Sequence, residues 1–229
     1  MIKHVFLDLD DTILDFHKAE EVALEKTLRH FSIPITEENK ALYSRINKGC
    51  WEALERGEIT RAELRLLRFA RFFEQIGAAN AELAPAVYEN FLSQGHYFLP
   101  GAEEAVKALQ KKYRLFLVSN GTASAQHRRL TSAGLYPYFE RVFISQEIGY
   151  NKPALEFFDR CFAQIPDFDP QKAIIVGDSL SSDIQGGINA GILTCWVNPK
   201  HKTAPDSRKP NFEIENITQL EPLLEQLTA

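Results

Sequence analysis

The sequence predicts an α/β fold, a doubly wound parallel sheet with a helical domain inserted after its first strand, and three observations carry that reading. Short β-rich runs alternate with helical patterns from Pro100 onward, the stretch from Phe16 to about Gly95 is helical throughout, and a lone strand pattern, HVFLDLD, comes before it. Strands alternating with helices build a parallel sheet covered on both faces. The first strand has nothing else to pair with and joins the later ones. The expected organisation is therefore a core from 1–15 and 98–229 and a helical cap over 16–97.

Each element follows in order. After the first strand come FHKAEEVALEKTLRHF, ENKALYSRINKGCWEALERG, AELRLLRFARFFEQIG and AELAPAVYENFLSQG, with apolar residues at helical spacing. The third of these carries its own punctuation, since Thr60 and Glu63 form a capping-box pattern and Gly77 supplies a C-terminal stop. RLFLVSN, RVFIS, KAIIVGD, ILTCWV and NFEIEN then read as further strands, and NPKHKTAPDSRKPN, Asn198 to Asn211, as a loop. The bland reading of Asp183 is that it starts a helix, DIQGGINAG, where an acid suits the helix dipole.

Composition narrows the function classes. The 229 residues are 45% hydrophobic, enough to bury a sizeable core. Lys and Arg number 26 against 31 Asp and Glu, which leaves no broad basic surface for a nucleic-acid polymer. The opening apolar run is cut by Asp8 and no stretch reaches membrane-spanning length, so no membrane association and a cytoplasmic location are expected. Cys50, Cys161 and Cys195 are far apart, without metal-ligand spacing, and read as reduced and buried.

The chemistry lies at the strand ends. FLDLDDT places Asp8, Asp10 and Asp11 within four positions. Like charges that close demand a cation. In an open parallel sheet, ligands bind beyond the carboxyl ends of the strands. Two other strand ends carry Ser119-Asn120-Gly121 and Gly177-Asp178-Ser179, with Asp183 following, and a loop after the third strand carries Asn151-Lys152-Pro153. Hard oxygen ligands suit Mg²⁺, and Mn²⁺ as well, with Asp8 and Asp178 as the expected carboxylate ligands. Asp8 and Asp10, two apart, can face one substrate as nucleophile and proton donor. Ser119, the amides after it and Lys152 can hold phosphoryl oxygens.

The set DLDDT, SN, KP and GDSLSSD resembles the four motifs of the haloacid dehalogenase-like (HAD) hydrolase superfamily, and the insertion after the first motif resembles its helical C1 cap. The resemblance implies a Rossmann-like core, Asp8 as nucleophile and Asp10 as general acid and then base. It also implies Mg²⁺ on the Asp8 carboxylate, the Asp10 backbone carbonyl and Asp178, with Asp183 in support. Two departures stand out: Asp11 occupies a position where glycine is common, and Ala154-Leu155 replaces a frequent second proline.

Asn47-Lys48-Gly49-Cys50-Trp51, Gly57-Glu58-Ile59-Thr60, Arg68-Phe69 and the run Gly177 to Lys202 are similar to the pyrimidine 5′-nucleotidase branch of that superfamily. That similarity implies a small phosphomonoester substrate, dUMP, dTMP or a noncanonical pyrimidine nucleotide, for a monomer or homodimer. Thr12, Asn120, Gly121, Phe16, Asn47 and Trp51 are the candidate substrate contacts. Phe16 or Trp51 would stack on the base, and the competing reading of Trp51 is packing inside the cap. The alternatives weighed are a phosphatase of phosphoglycolate or sugar phosphates, a phosphosugar mutase, a haloacid dehalogenase and a non-enzymatic phospho-receiver domain. The second carboxylate, Asp10, and Asp178 argue against the dehalogenase, which has no phosphate to neutralise.

Overall fold

A computed structural model of the chain describes residues 1–227. Thr228 and Ala229, the end of the expected core segment, lie outside the described residues. Six strands appear where the sequence placed them: β1 (His4–Leu7), β2 (Arg114–Ser119), β3 (Arg141–Ile144), β4 (Ala173–Gly177), β5 (Leu193–Val197) and β6 (Phe212–Ile214). They form one sheet in the order β3-β2-β1-β4-β5-β6. Every neighbouring pair is parallel. The chain builds outward from β1 through β2 to β3, then returns to the other side of β1 for β4, β5 and β6. The winding direction thus reverses between β1 and β4, and the crevice at such a switch point is where open α/β sheets hold ligands.

Burial on both faces explains the near-continuous apolar strands. Val5 and Leu7 of β1 pack on one side with Val106 and Leu109 of α5 (Ala102–Leu109) and Leu220 and Leu224 near the C-terminus. Phe6, pointing the other way, packs with Phe157, Phe158 and Cys161. The remaining helices of this part are α6 (Ala123–Ser132), α7 (Ser145–Ile148), α8 (Leu155–Phe162), α9 (Gln185–Asn189) and α10 (Leu220–Gln226).

The chain divides into two compact units, one formed by Met1–Phe16 with the chain from His96 onward, the other by His17–Gly95. The second is built from helices, α1 (Phe16–His30) beyond its first residue, α2 (Glu37–Glu55), α3 (Arg61–Ile76) and α4 (Ala84–Leu92). Leu24, Leu28, Tyr43, Phe69, Phe72, Phe73 and Tyr88 form its core. The capping box predicted for α3 is present, with Thr60 Oγ1 accepting from Glu63 N–H at 3.2 Å and Glu63 Oε2 accepting from Thr60 N–H at 2.7 Å. Gly77 closes α3 in the left-handed region at φ 65°. No helix among the described residues is long and apolar enough to cross a membrane.

Candidate active site

Beyond Leu7 the chain keeps its place beside β4 for one more residue, with Asp8 N–H donating to Val176 O at 3.0 Å. It then coils tightly, as Ile13 and Leu14 N–H both return to Leu9 O. That coil puts Asp11 in the left-handed region at φ 56°, which aspartate tolerates better than most residues. The Asp11 carboxylate also accepts the N–H of Phe16, the first residue of α1, at 3.0 Å. This accounts for an aspartate where glycine is common.

Asp8 meets a buried lysine. Lys152 Nζ donates to Asp8 Oδ1 at 2.6 Å, to Asp183 Oδ1 at 2.6 Å and to Val118 O at 3.0 Å, which satisfies all its donors. Asn120 pins the loop that carries it: the side chain donates to Lys152 O and accepts from Lys152 N–H, each at 2.9 Å. Asp183 Oδ2 accepts from Ser179 N–H at 3.1 Å. A Cβ at position 177 would lie 2.2 Å from that same oxygen, so Gly177 is what lets Asp183 turn inward. Asp183 lies within the first turn of a helical segment rather than at its start. A wide π-type turn over Leu180–Ile184 precedes α9 and buries Asp183 against Lys152.

Carboxylate oxygens of Asp8, Asp178 and Asp183 lie within 4.8 Å of one another. One ammonium faces three acids. Burial, with Asp183 and Asp10 adding to it against the pull of Lys152, pushes the Asp8 carboxyl up to about 8. Asp178 is pushed well above its ordinary value by burial and by Asp183 and Asp8. Burial works to lower the Lys152 pKa, yet Asp183 and Asp8 outweigh it and hold the ammonium above its ordinary value. An all-oxygen donor set with surplus negative charge fits a hard divalent cation such as Mg²⁺.

Asp10 has different neighbours. Its Oδ1 accepts from Arg129 Nη1 at 2.5 Å and its Oδ2 from Gln126 Nε2 at 2.7 Å. Ser119 Oγ, buried at the end of β2, accepts from Gln126 Nε2 at 2.8 Å and from Gly121 N–H at 3.0 Å. Sequence reasoning missed Gln126 and Arg129. Their three-residue separation on the helix just after the Ser119-Asn120-Gly121 strand end is the signal that would have found them.

The structure brings Asp8, Asp10, Ser119, Lys152, Asp178 and Asp183 to one sheet edge. The other candidates are distributed as follows. Thr12 is fully buried, and its Oγ1 has no hydrogen-bond partner among the described residues. Phe16 is half-buried, 5.8 Å from the Arg129 guanidinium. In the helical unit Asn47 is buried, donating to Glu20 at 2.6 Å and accepting from Arg68 at 3.3 Å. Trp51 is half-buried against Cys50, Leu54 and Leu64, with the Arg61 guanidinium 5.8 Å from its ring.

Comparison with known proteins identifies the family. Residues 2–191 match a family model for haloacid dehalogenase-like hydrolase. YfnB of Bacillus subtilis, named as a HAD-hydrolase, is 39% identical over 94% of this chain and 92% of its own. A crystal structure of YfnB bound to magnesium superposes with a TM-score of 0.94, at 38% identity over 97% of this chain and 98% of that one. The pyrimidine 5′-nucleotidase PynA of Streptococcus pneumoniae is 36% identical over 95% of this chain and 93% of its own. The pyrimidine 5′-nucleotidase YjjG of Escherichia coli is 32% identical over 96% of each. The chain therefore belongs to the haloacid dehalogenase-like hydrolase family and is an enzyme of that family.

Proposed function

We propose that the protein is a Mg²⁺-dependent phosphatase of pyrimidine nucleoside 5′-monophosphates, acting through an aspartyl phosphate on Asp8. One observation carries the chemistry: two carboxylates from the same strand end stand in separate environments, Asp8 on Lys152 within the acidic set and Asp10 on Arg129 and Gln126. Carboxylates held apart in this way suit two different roles. The relatives named as pyrimidine 5′-nucleotidases support the substrate class.

In the first step an Asp8 carboxylate oxygen bonds to phosphorus as the bond to the nucleoside 5′-oxygen breaks, and Asp10 gives that oxygen its proton. In the second, water attacks the phosphoryl group and Asp10 takes its proton back. The bond to Asp8 then breaks and phosphate leaves. Ser119 Oγ holds a phosphoryl oxygen, and the Lys152 ammonium, bonded to Asp8 itself, lends its positive charge during both steps. Asp8, Asp178 and the Asp10 backbone carbonyl, with Asp183 behind them, are the groups to hold Mg²⁺ or Mn²⁺, and the ion when bound neutralises phosphoryl charge. Lids in such enzymes exclude water and read the leaving group; that role falls to residues 16–97, with Phe16, Asn47 and Trp51 as the base contacts.

The deciding experiment is phosphate release from a panel of phosphomonoesters, with Mg²⁺ and with a chelator. Metal-dependent release favouring dUMP or dTMP is the expected result. Release only from sugar phosphates or phosphoglycolate overturns the nucleotide assignment, and metal-independent release overturns the Mg²⁺ assignment. Trp51→Ala is expected to raise KM for dTMP; an unchanged KM in a folded variant removes stacking at that position.

A further inference from the structure

Gln126 and Arg129 take no step in the chemistry above, but they set the surroundings of Asp10: both are almost wholly buried and both touch it. They lie one turn apart on α6, on the same face. Arg129 Nη1 donates to Gln126 Oε1 at 2.8 Å as well as to Asp10. This settles which way the amide points. Arginine only donates, so Gln126 presents its oxygen to Arg129 and its NH₂ to Asp10 Oδ2 and Ser119 Oγ. The two amide protons thus tie the ends of β1 and β2 together.

The backbone makes room for that amide. A Cβ at Gly121 would lie 2.3 Å from Gln126 Nε2 and 2.5 Å from its Cγ and Cδ. The absence of a side chain at position 121 is what allows Gln126 to reach between Ser119 and Asp10. A general acid needs one lone pair aimed at the leaving oxygen, and each carboxylate oxygen has two. Arg129 takes one on Oδ1 and Gln126 takes one on Oδ2. Neither donor accepts a hydrogen bond from an O–H on Asp10, so a proton carried by Asp10 sits on a lone pair that they leave free. Asp10 keeps 25% of its side chain exposed.

We infer that Gln126 and Arg129 are positioning residues that orient Asp10 as proton donor, and that Gly121 serves by admitting the Gln126 amide. The inference rests on the reading of Asp10 as general acid. The step affected is departure of the leaving group, where the phosphorus–oxygen bond breaks and the Asp10 proton moves to the departing oxygen.

The experiment compares kcat/KM for two phosphomonoesters. One is an alkyl ester that the wild-type enzyme hydrolyses, dTMP first, whose alkoxide needs a proton to leave. The other is p-nitrophenyl phosphate, whose phenolate leaves without one. Gln126→Leu is expected to lower kcat/KM for the alkyl ester about tenfold more than for p-nitrophenyl phosphate, a fraction of what general acid catalysis supplies. Gly121→Ala, which displaces the end of a flexible side chain without changing its chemistry, is expected to show the same selective loss. Arg129→Lys is expected to retain more alkyl-ester activity than Arg129→Met; the Gln126 and Gly121 variants carry the test if Arg129→Met does not fold. Equal losses on both substrates for Gln126→Leu and Gly121→Ala would overturn the inference in favour of a packing role. Asp10→Asn separates the two levels. If it splits the substrates and Gln126→Leu does not, only the inference falls; if Asp10→Asn itself strikes both equally, the acid reading of Asp10 fails and the inference with it.

Discussion

Lys152 in the sheet unit and Arg68 in the helical unit are both buried cations, 1% and 4% exposed, and they are housed differently. Lys152 is met by two carboxylates and a carbonyl from separate strand ends. Arg68 lies over aromatic faces, 4.7 Å from the Tyr88 ring centre and 5.3 Å from that of Phe69, and hydrogen bonds to Asn47. Its Nε has no hydrogen-bond partner among the described residues. Acids that outnumber the cation leave surplus charge for a ligand to neutralise, whereas a cation over ring faces is stabilised by its own packing. The difference separates a place built for chemistry from one built for cohesion.

The largest effect expected from this contrast is on activity. Asp8→Asn should lower kcat by about 10⁴-fold or more with the fold kept, as phosphate-release assays and circular dichroism would show. Next comes stability. Lys152→Met strands Asp8 and Asp183 together and should cost about 3–5 kcal/mol in metal-free urea unfolding, as when one partner of a buried pair is removed. Arg68→Met leaves ring faces and the Asn47 amide behind, with Glu20 and Glu89 farther off rather than in a direct ion pair, and a smaller cost of about 1–2 kcal/mol is expected. Equal costs for the two would break the comparison.

Metal binding sharpens the same contrast. Mg²⁺ at a hundredfold excess over its dissociation constant should stabilise the folded protein by about 2.7 kcal/mol, lost on chelation. Asp178→Asn should abolish that gain and Arg68→Met should keep it, as thermal melts with and without Mg²⁺ would report.

The smallest effect concerns His4, buried in β1 with both ring nitrogens unpartnered among the described residues. Burial, with the Arg114 charge adding to it, lowers its pKa below the ordinary 6.5. The folded protein then keeps the ring neutral while the unfolded chain binds a proton below that value. Stability is present above pH 6.5 and drains away as pH falls toward the folded-state pKa. His4→Phe should flatten this acid-side slope in urea midpoints taken from pH 7 to pH 5. An unchanged slope assigns it to other groups.

Legibility in the sequence followed residue type and place. Asp8, Ser119, Lys152 and Asp178 stood out because charged and hydroxyl groups at the ends of apolar strands conflict with burial unless they act together. The α3 capping box and the Gly77 stop were visible because they are local, set by spacing within a few residues. Asn120 was legible as a strand-end residue but not as the clamp on Lys152, 32 positions away. Gln126 and Arg129 went unread: their three-residue spacing after the Ser119 strand end puts them on one helix face, but only the fold shows that this face meets Asp10.

By itself the sequence determined the strand pattern, the helical block between β1 and β2, and the delivery of acids, a hydroxyl and a lysine to strand ends, because periodicity and local chemistry act over a few residues. Only the tertiary structure decided that Lys152 bridges Asp8 and Asp183, that the turn at Leu180–Ile184 faces Asp183 inward, and that Gly121 opens a path for Gln126 to reach Asp10. Those contacts join residues up to 144 positions apart. Sheet register and close packing create them, and no stretch of chain carries that information alone.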